Sequence, residues 1–293
     1  MRANIGVTAI CMAIGLSLIP SANASDPTVI VAVGDIARSG GGQEKTARLT
    51  SNLNPDKVLL LGDLVYEKGT DSEFKKYFLP YWKKFLSKSY AVPGNHEYKT
   101  TSANGYRKIV TDYKLPRTGT KFWWAKKVNG WTIIGLDSEA LSGSKGTAQI
   151  NFLKQALKDN NNRPTIVTWH RPTYSRGSHG NQEDTQKLWN LVSADKDVKL
   201  VLWGHDHNYE QVERTVLRGT ASERKINTFV VGTGGANLRA CKTANISGEL
   251  ICGKTNNYGV LQLKLDRGGY SWSFRNANGS KTGRVLDSGR INF

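Results

Sequence analysis

The chain is poor in sulfur and in acidic groups. Its 293 residues include 3 cysteines and 2 methionines, and 24 Asp and Glu stand against 41 Lys and Arg. No Cys-x-x-Cys pair occurs, which argues against thiolate zinc sites and dithiol redox chemistry. Beyond residue 24 no apolar run approaches the length of about 20 residues that a membrane span needs. There is no internal repeat, low-complexity tract or long linker, so repeat arrays and disordered tails are not expected. The shortage of acid leaves a formal net charge of +17. A field of that sign favours anionic partners: phosphate esters, nucleic acid or an acidic surface. The basic residues are dispersed rather than interleaved with aromatics, which argues for small-molecule phosphate esters and against nucleic acid.

The N-terminal stretch carries its own pattern. Met1-Arg2 gives a positive start, residues 5–19 are apolar, and Ala22-Asn23-Ala24 has the small-x-small form of a cleavage site. This predicts a signal peptide over residues 1–24, in preference to a membrane anchor. The expected product is a secreted chain, extracellular or periplasmic, with one domain over residues 25–293. Cys11 would leave with the peptide. Cys241 and Cys252 remain, and in an oxidising compartment they are expected to pair, the alternative being two buried thiols. A loop that short contributes roughly 2–3 kcal/mol.

The first half alternates β-rich runs with helix-like stretches. Residues 28–33, 57–61 and 90–92 read as strands, and 44–52 and 73–87 as helices. This βαβαβ order predicts a mainly parallel sheet with helices on its faces. Residues 122–124 and 131–136 read as paired strands, 147–158 and 185–192 as helices, and 165–169 and 200–203 as strands. From there the pattern turns β-rich, at 229–231, 259–265 and 270–274, which suggests a second sheet. Residues 210–225 and 237–257 read as surface loops.

The strand ends carry the chemistry. Val33 leads to Gly34-Asp35, Leu61 to Gly62-Asp63 with Tyr66 following, and Val92 to Pro93-Gly94-Asn95-His96-Glu97. Trp169 leads to His170, and Trp203 to Gly204-His205-Asp206-His207. In open α/β sheets ligands gather at the carboxyl ends of strands. The chain has 5 histidines, and His96, His170, His205 and His207 lie at these ends, with His179 on the loop after His170. Carboxylates, an amide, a phenol and imidazoles are mixed oxygen and nitrogen donors, suited to zinc, manganese or iron. A carboxylate such as Asp63 can give one oxygen to each of two metals about 3.5–4 Å apart, the spacing of two-metal hydrolases. Asp206 and Glu97 read as groups that orient neighbours, Asp137 as structural, and Arg171 as either a phosphate contact or a packing residue.

Together these blocks resemble the calcineurin-like metallophosphoesterase superfamily, and most closely its purple acid phosphatases in a small, single-domain form. The first block, Asp35-Ile36-Ala37, lacks the histidine that many relatives carry there. A tyrosine, Tyr66, follows the second aspartate instead, and the runs at 204–210 and 232–235 fit the same group. The resemblance implies a four-layer α/β/β/α sandwich of two mixed sheets flanked by helices. It implies a binuclear-metal phosphatase that hydrolyses phosphate monoesters by attack of a metal-bound hydroxide, at acid pH. Asp35, Tyr66 and His207 would hold Fe(III), with Asp63 shared. Asn95, His170 and His205 would hold a divalent Fe, Zn or Mn. His96 would protonate the leaving group, and His179 is read either as a second proton donor or as a surface residue. A phosphodiesterase or nucleotide pyrophosphatase on the same fold is the alternative. A secreted anion-binding or adhesion protein without catalysis is the alternative from another class.

Overall fold

The computed structural model describes residues 26–241, 251–252 and 257–293. The expected signal peptide lies outside the described residues, as does the side chain of Cys252. Strand β1, Thr28–Val33, enters the molecule directly, followed by a helix at Gln43–Leu53 and β2 at Lys57–Leu61. Asn54, in a left-handed conformation at φ 45°, ends that helix and turns the chain into β2. β3, Ser89–Val92, then pairs parallel to β2, as β2 does to β1.

Between β2 and β3 the aromatic stripe expected as one helix is a helical segment of mixed pitch. A capping box at Thr70 and Glu73 starts it. The first turn widens to a π-helix at Phe74–Phe78 and the last tightens to 3-10 at Lys83–Lys88. Phe74, Phe78 and Trp82 are fully buried by it, so packing of three large rings fixes its pitch.

The second sheet uses β4 (Trp124–Val128), β5 (Trp131–Gly135), β6 (Thr165–Thr168), β7 (Val198–Trp203), β8 (Tyr209–Val216), β9 (Arg224–Val231) and β10 (Ile251–Cys252). β5, β6, β7 and β9 run parallel, with β4 and β8 antiparallel at the flanks. Helices Gly143–Lys158 and Gln186–Ala194 make the crossovers. The remaining strands, β11 (Gly259–Asp266), β12 (Gly269–Asn276) and β13 (Val285–Asn292), return to the first sheet, where β11 pairs antiparallel with β1. The sheets are six and seven strands wide, ordered β13-β12-β11-β1-β2-β3 and β10-β8-β9-β7-β6-β5-β4.

Alternation along the strands divides the core into layers. Ile30, Ala32, Leu59 and Leu61 of the first sheet face Ile133, Ile166, Leu200 and Leu202 of the second. Val31, Val33, Val58 and Leu60 point the other way, onto Phe74, Trp82 and Ile109 of the helices. Val167, Val201 and Val230 do the same beneath Leu153, Leu188 and Val192. Strands buried on both faces read as continuous apolar runs, which is why β1, β2 and β7 were visible in sequence. The result is the expected four-layer sandwich. Among the described residues, no helix is long and apolar enough to cross a membrane.

Two expectations are corrected. The 210–225 stretch, expected as a surface loop, is most of the β8–β9 hairpin, paired from Tyr209 opposite Val231 to Val216 opposite Arg224. The β-rich tail does not build the second sheet by itself: of the three runs expected there, 229–231 lies in β9 and joins it, while β11 and β12 complete the first.

Candidate metal centre

The carboxyl ends of β1 and β2 meet those of β6 and β7 across the seam between the sheets. Gly34 N–H donates to Val231 O at 2.9 Å, and His205 N–H donates to Asp35 Oδ2 at 2.8 Å. Asp35, Asp63 and His205 all turn at positive φ, 58°, 47° and 72°. For residues with a Cβ this costs on the order of 1–3 kcal/mol each, and such cost is tolerated where it aims a functional side chain. Gly62 and Gly94 make room for the cluster. A Cβ on Gly62 would lie 2.5 Å from His170 Nδ1, and one on Gly94 would lie 2.3 Å from Asp63 Oδ1.

The donors gather closely. Tyr66 Oη donates to Asp35 Oδ1 at 2.7 Å and lies 3.1 Å from both Asp63 Oδ2 and His207 Nε2. His207 Nε2 is 3.4 Å from Asp35 Oδ1, and His170 Nε2 is 3.3 Å from Asp63 Oδ2. His205 and His170 meet edge to face at 5.1 Å between ring centroids. Atoms of Asp63, His170 and His205 lie within 4.8 Å of one another, a group able to hold a metal ion. Asn95 sits between Gly94 and His96, and its Oδ1 is buried without a hydrogen-bond partner among the described residues.

Two of the imidazoles are held from behind. His170 Nδ1 donates to Leu61 O at 2.9 Å, and His207 Nδ1 to Asn237 O at 2.6 Å. The opposite nitrogen of each then faces the cluster, the arrangement that orients metal-binding histidines. Glu97 braces the loops that carry Asp63 and Asn95, with Oε1 accepting from Leu64 N–H and Oε2 from Gly94 N–H, both at 2.8 Å. Asp206 braces the other side. Its Oδ1 accepts from His179 N–H at 2.8 Å and faces His179 Nδ1 at 3.1 Å, and its Oδ2 accepts from Ser175 Oγ–H. The sequence reading of Glu97 and Asp206 as orienting groups agrees with these contacts.

The buried charges of the cluster lean on one another. Burial opposes charge on Asp63, yet His170 and His96 beside it hold its carboxyl far below the usual range. Burial likewise opposes charge on His170, but Asp63 against it lifts the imidazole to about 10. Burial, reinforced by His170 and His179, pushes His205 down to about 2. Burial, with Asp35 and Asp63 adding to it, raises the Tyr66 phenol. A proton on His170 balances buried carboxylate where a metal ion would balance it better. Asn95 Oδ1, buried without a hydrogen-bond partner among the described residues, fits that group, since an amide oxygen is a metal donor.

His96 and His179 lie at opposite flanks. His96 packs on Tyr66 at 4.2 Å between centroids, with Nε2 3.9 Å from Asp63 Oδ2. His179 stacks on His205 at 4.3 Å between ring centroids and is exposed at the surface. Arg171 is engaged elsewhere, its Nε pairing with Glu139 Oε1 at 2.8 Å. Asp137 is structural, bonded to Tyr98 Oη and to Glu139 N–H. Sequence reasoning missed Lys99 and Arg239, which lie against His96 and His179; neither belongs to a metal-donor pattern.

Comparison with known proteins agrees with this geometry. A "Probable inactive purple acid phosphatase 1" from Arabidopsis thaliana is 24% identical over 80% of this chain, which spans 42% of that protein. Rabbit (Oryctolagus cuniculus) "Tartrate-resistant acid phosphatase type 5" is 24% identical, covering 67% of this chain and 72% of its own. The "3',5'-cyclic adenosine monophosphate phosphodiesterase CpdA" of Haemophilus influenzae is 26% identical over 52% of this chain and 54% of its own. Among solved structures, GAP50, "the anchor in the inner membrane complex of Plasmodium", superposes with a TM-score of 0.71 at 16% identity, over 92% of this chain and 89% of that one. The model of the calcineurin-like phosphoesterases matches residues 28–209, more than half of the chain and every strand end that carries a donor, and the protein therefore belongs to the calcineurin-like phosphoesterase family.

Proposed function

We propose that the protein is an exported binuclear-metal phosphatase that hydrolyses phosphate monoesters at acid pH. One observation carries this reading: side chains from separate strand ends converge on one seam, where atoms of Asp63, His170 and His205 lie within 4.8 Å of one another and Asn95 Oδ1 is buried without a hydrogen-bond partner among the described residues. Asp35, Tyr66 and His207 would hold one ion, Asn95, His170 and His205 the other, with Asp63 between them. The resemblance assigns the first ion as Fe(III) and the second as divalent Fe, Zn or Mn. When bound, such a pair supplies Lewis acidity and an ionised water at low pH.

The chain's own groups do the rest. The backbone fixes Asp63, whose Oδ1 accepts from His96 N–H at 2.8 Å. His96 Nδ1 lies 2.7 Å from Glu67 O, which directs Nε2 toward the cluster. That nitrogen is placed to deliver a proton to the leaving alkoxide. His179, held by Asp206, is the second candidate donor. The plant relative's name records that members of such families can lack activity. Here the intact donor set argues against a non-catalytic, anion-binding reading.

Export and the disulfide belong to the same proposal. The N-terminal pattern supports a cleaved signal peptide. Cys252 stands opposite Glu210 on β8, and Asn208, two residues before it, donates to Cys241 Sγ at 3.1 Å. Both cysteines thus come to the start of β8, where a bond between them would tie down the 237–257 segment.

The test is turnover of p-nitrophenyl phosphate across pH, with elemental analysis and a visible spectrum of the purified protein. Iron, a purple charge-transfer band and loss of activity on chelation are expected. Activity that survives complete metal removal would overturn the reading. A second reading, phosphodiesterase chemistry, is favoured by the likeness to CpdA. It predicts a colourless, iron-free protein that prefers diesters.

A further inference from the structure

Basic side chains surround the centre, and they fall into two classes. Arg38 and Arg171 are neutralised: Arg38 Nη2 lies 3.3 Å from Glu67 Oε1, and Arg171 Nε 2.8 Å from Glu139 Oε1. Lys99 and Arg239 have no carboxylate partner among the described residues. Instead each rests on a histidine that is not a donor in the proposed ligand set. Lys99 Nζ lies 3.1 and 3.4 Å from the two ring nitrogens of His96. Arg239 Nη1 lies 3.3 and 2.8 Å from those of His179. Contact with both nitrogens of one ring places each cation against the ring, not in line with a single lone pair.

The two positions bracket the cluster. His96 packs on Tyr66 and His179 on His205, so one cation stands at the Tyr66 flank and the other at the His205 flank. Arg239 is held there by backbone. Its N–H donates to His207 O at 2.9 Å, His207 Nδ1 bonds Asn237 O at 2.6 Å, and Ala236 N–H donates to Asp35 O at 2.9 Å. The segment from Ala236 to Arg239 is therefore fastened to two of the proposed ligands. Arg239 also donates to Ser178 Oγ at 3.2 Å. Unneutralised cations beside a metal centre have an evident ligand, an anion held at that centre. A guanidinium fork is matched by two terminal oxygens of one phosphoryl group, and a monoester leaves three oxygens free of ester bonds where a diester leaves two.

We propose that Lys99 and Arg239 form a cationic clamp that binds the terminal oxygens of a phosphoryl group and selects monoesters over diesters. This rests on the phosphatase reading and narrows its substrate class. Lys99 and Arg239 are both exposed, so their replacement should leave the fold intact.

The test uses the metal-replete full chain with K99Q, R239Q, the double variant, and the charge-retaining R239K. Three quantities are read: metal content, affinity for inorganic phosphate by calorimetry, and kcat/KM on p-nitrophenyl phosphate against bis(p-nitrophenyl) phosphate. With metal content unchanged, the double variant should lose about 10- to 100-fold in phosphate affinity and in monoester kcat/KM, the size of lost charge-assisted hydrogen bonds. Diester kcat/KM should change by less than about threefold, and R239K should retain part of the monoester preference. An unchanged phosphate affinity and monoester-to-diester ratio in the double variant overturn the clamp, as does loss of metal, which would assign these residues a structural role. Phosphate affinity is measured without turnover. A wild-type protein that binds metal and phosphate but hydrolyses no ester defeats the functional reading while still deciding the clamp.

Discussion

The six-stranded sheet brings oxygen to the centre, and the seven-stranded sheet brings nitrogen. Asp35, Asp63, Tyr66 and Asn95 follow β1, β2 and β3, whereas His170, His205 and His207 follow β6 and β7. At the centre the halves meet through His205 N–H on Asp35 and His170 Nδ1 on Leu61 O. Neither sheet holds a complete donor set. The centre therefore exists only when both sheets pack through the layer of Leu59, Leu61, Ile166 and Leu202. Hard oxygen donors favour a higher-valent ion, and imidazoles suit a borderline divalent one. In the proposed assignment each ion draws on both sheets, one through Asp35, Tyr66 and His207 and the other through Asn95, His170 and His205, so the packing of the sheets is a condition for either position.

The largest effect should come from removing one donor on each side. D63A takes away the carboxylate placed between the proposed ions, and H205A takes a nitrogen from the other sheet. Each should lower kcat/KM by on the order of 1,000-fold or more, as loss of a several-kcal/mol electrostatic contribution requires. Elemental analysis separates them. D63A should empty both positions, while H205A should leave the ion held by Asp35, Tyr66 and His207. Equal metal loss in both variants would mean the two proposed positions do not fill separately.

Metal removal comes next, because an ion shared by two sheets links them. A ligand held at 100 times its dissociation constant stabilises by about 2.7 kcal/mol. For a chain of this size that corresponds to about 5–10 °C in Tm. Scanning calorimetry with and without chelator should show that fall, with recovery on adding metal back. An unchanged Tm would mean that the donor atoms hold no ion.

Much of this division was legible in sequence, and for a physical reason. β1, β2 and β7 are buried on both faces, so each reads as an apolar run, and a donor at the end of such a run has its place fixed. What was not legible lies in polar strands. Glu210 in β8 is buried because Ser175 Oγ and Arg176 N–H satisfy it, and Gln211 pairs with Asn227 across the hairpin. From local sequence alone a satisfied glutamate looks like a loop residue. β13 contains Asp287, Gly289 and Arg290 and gives no strand signal, yet Tyr209 Oη and Trp272 Nε1 both bond Asp287 Oδ2. Arg239 was invisible for a related reason: its place is set by backbone bonds to His207, and no residue pattern records those.

A smaller effect should distinguish the two bracing carboxylates. E97Q replaces an acceptor of the Gly94, Leu64 and Val65 N–H groups with an amide that can accept through one atom only. D206N does the same to the groups that hold His179. Orienting partners of metal sites typically contribute 10- to 100-fold, or about 1.4–2.7 kcal/mol. E97Q should act on metal affinity, through the oxygen side. D206N should act mainly on kcat with metal content retained, through His179. Titration of the apoproteins with Zn and steady-state kinetics check both, and identical profiles would break the comparison.

The smallest effect concerns Asp137, a carboxylate at the end of β5, on the nitrogen side, that takes no part in the centre. Tyr98, Glu139, Arg107, Lys121 and Lys145 are the charged or titratable groups around it. Burial lifts it from 3.8 to about 7, while the hydrogen bonds from Tyr98 and Glu139 N–H work the other way. The folded state thus holds a proton that the unfolded chain gives up near pH 4. Where the folded state binds more protons, stability falls as pH rises, here between about pH 4 and 7 and by at most about 1.4 kcal/mol per pH unit. Below that window the stabilisation is fully present, which suits the proposed action in acid. D137N, a neutral isostere, should flatten the decline of Tm across those pH values while leaving metal content and kcat within about twofold, since Asp137 contacts no donor. If D137N instead loses metal, an oxygen from the second sheet does enter the centre, and the division of donors between the sheets is wrong.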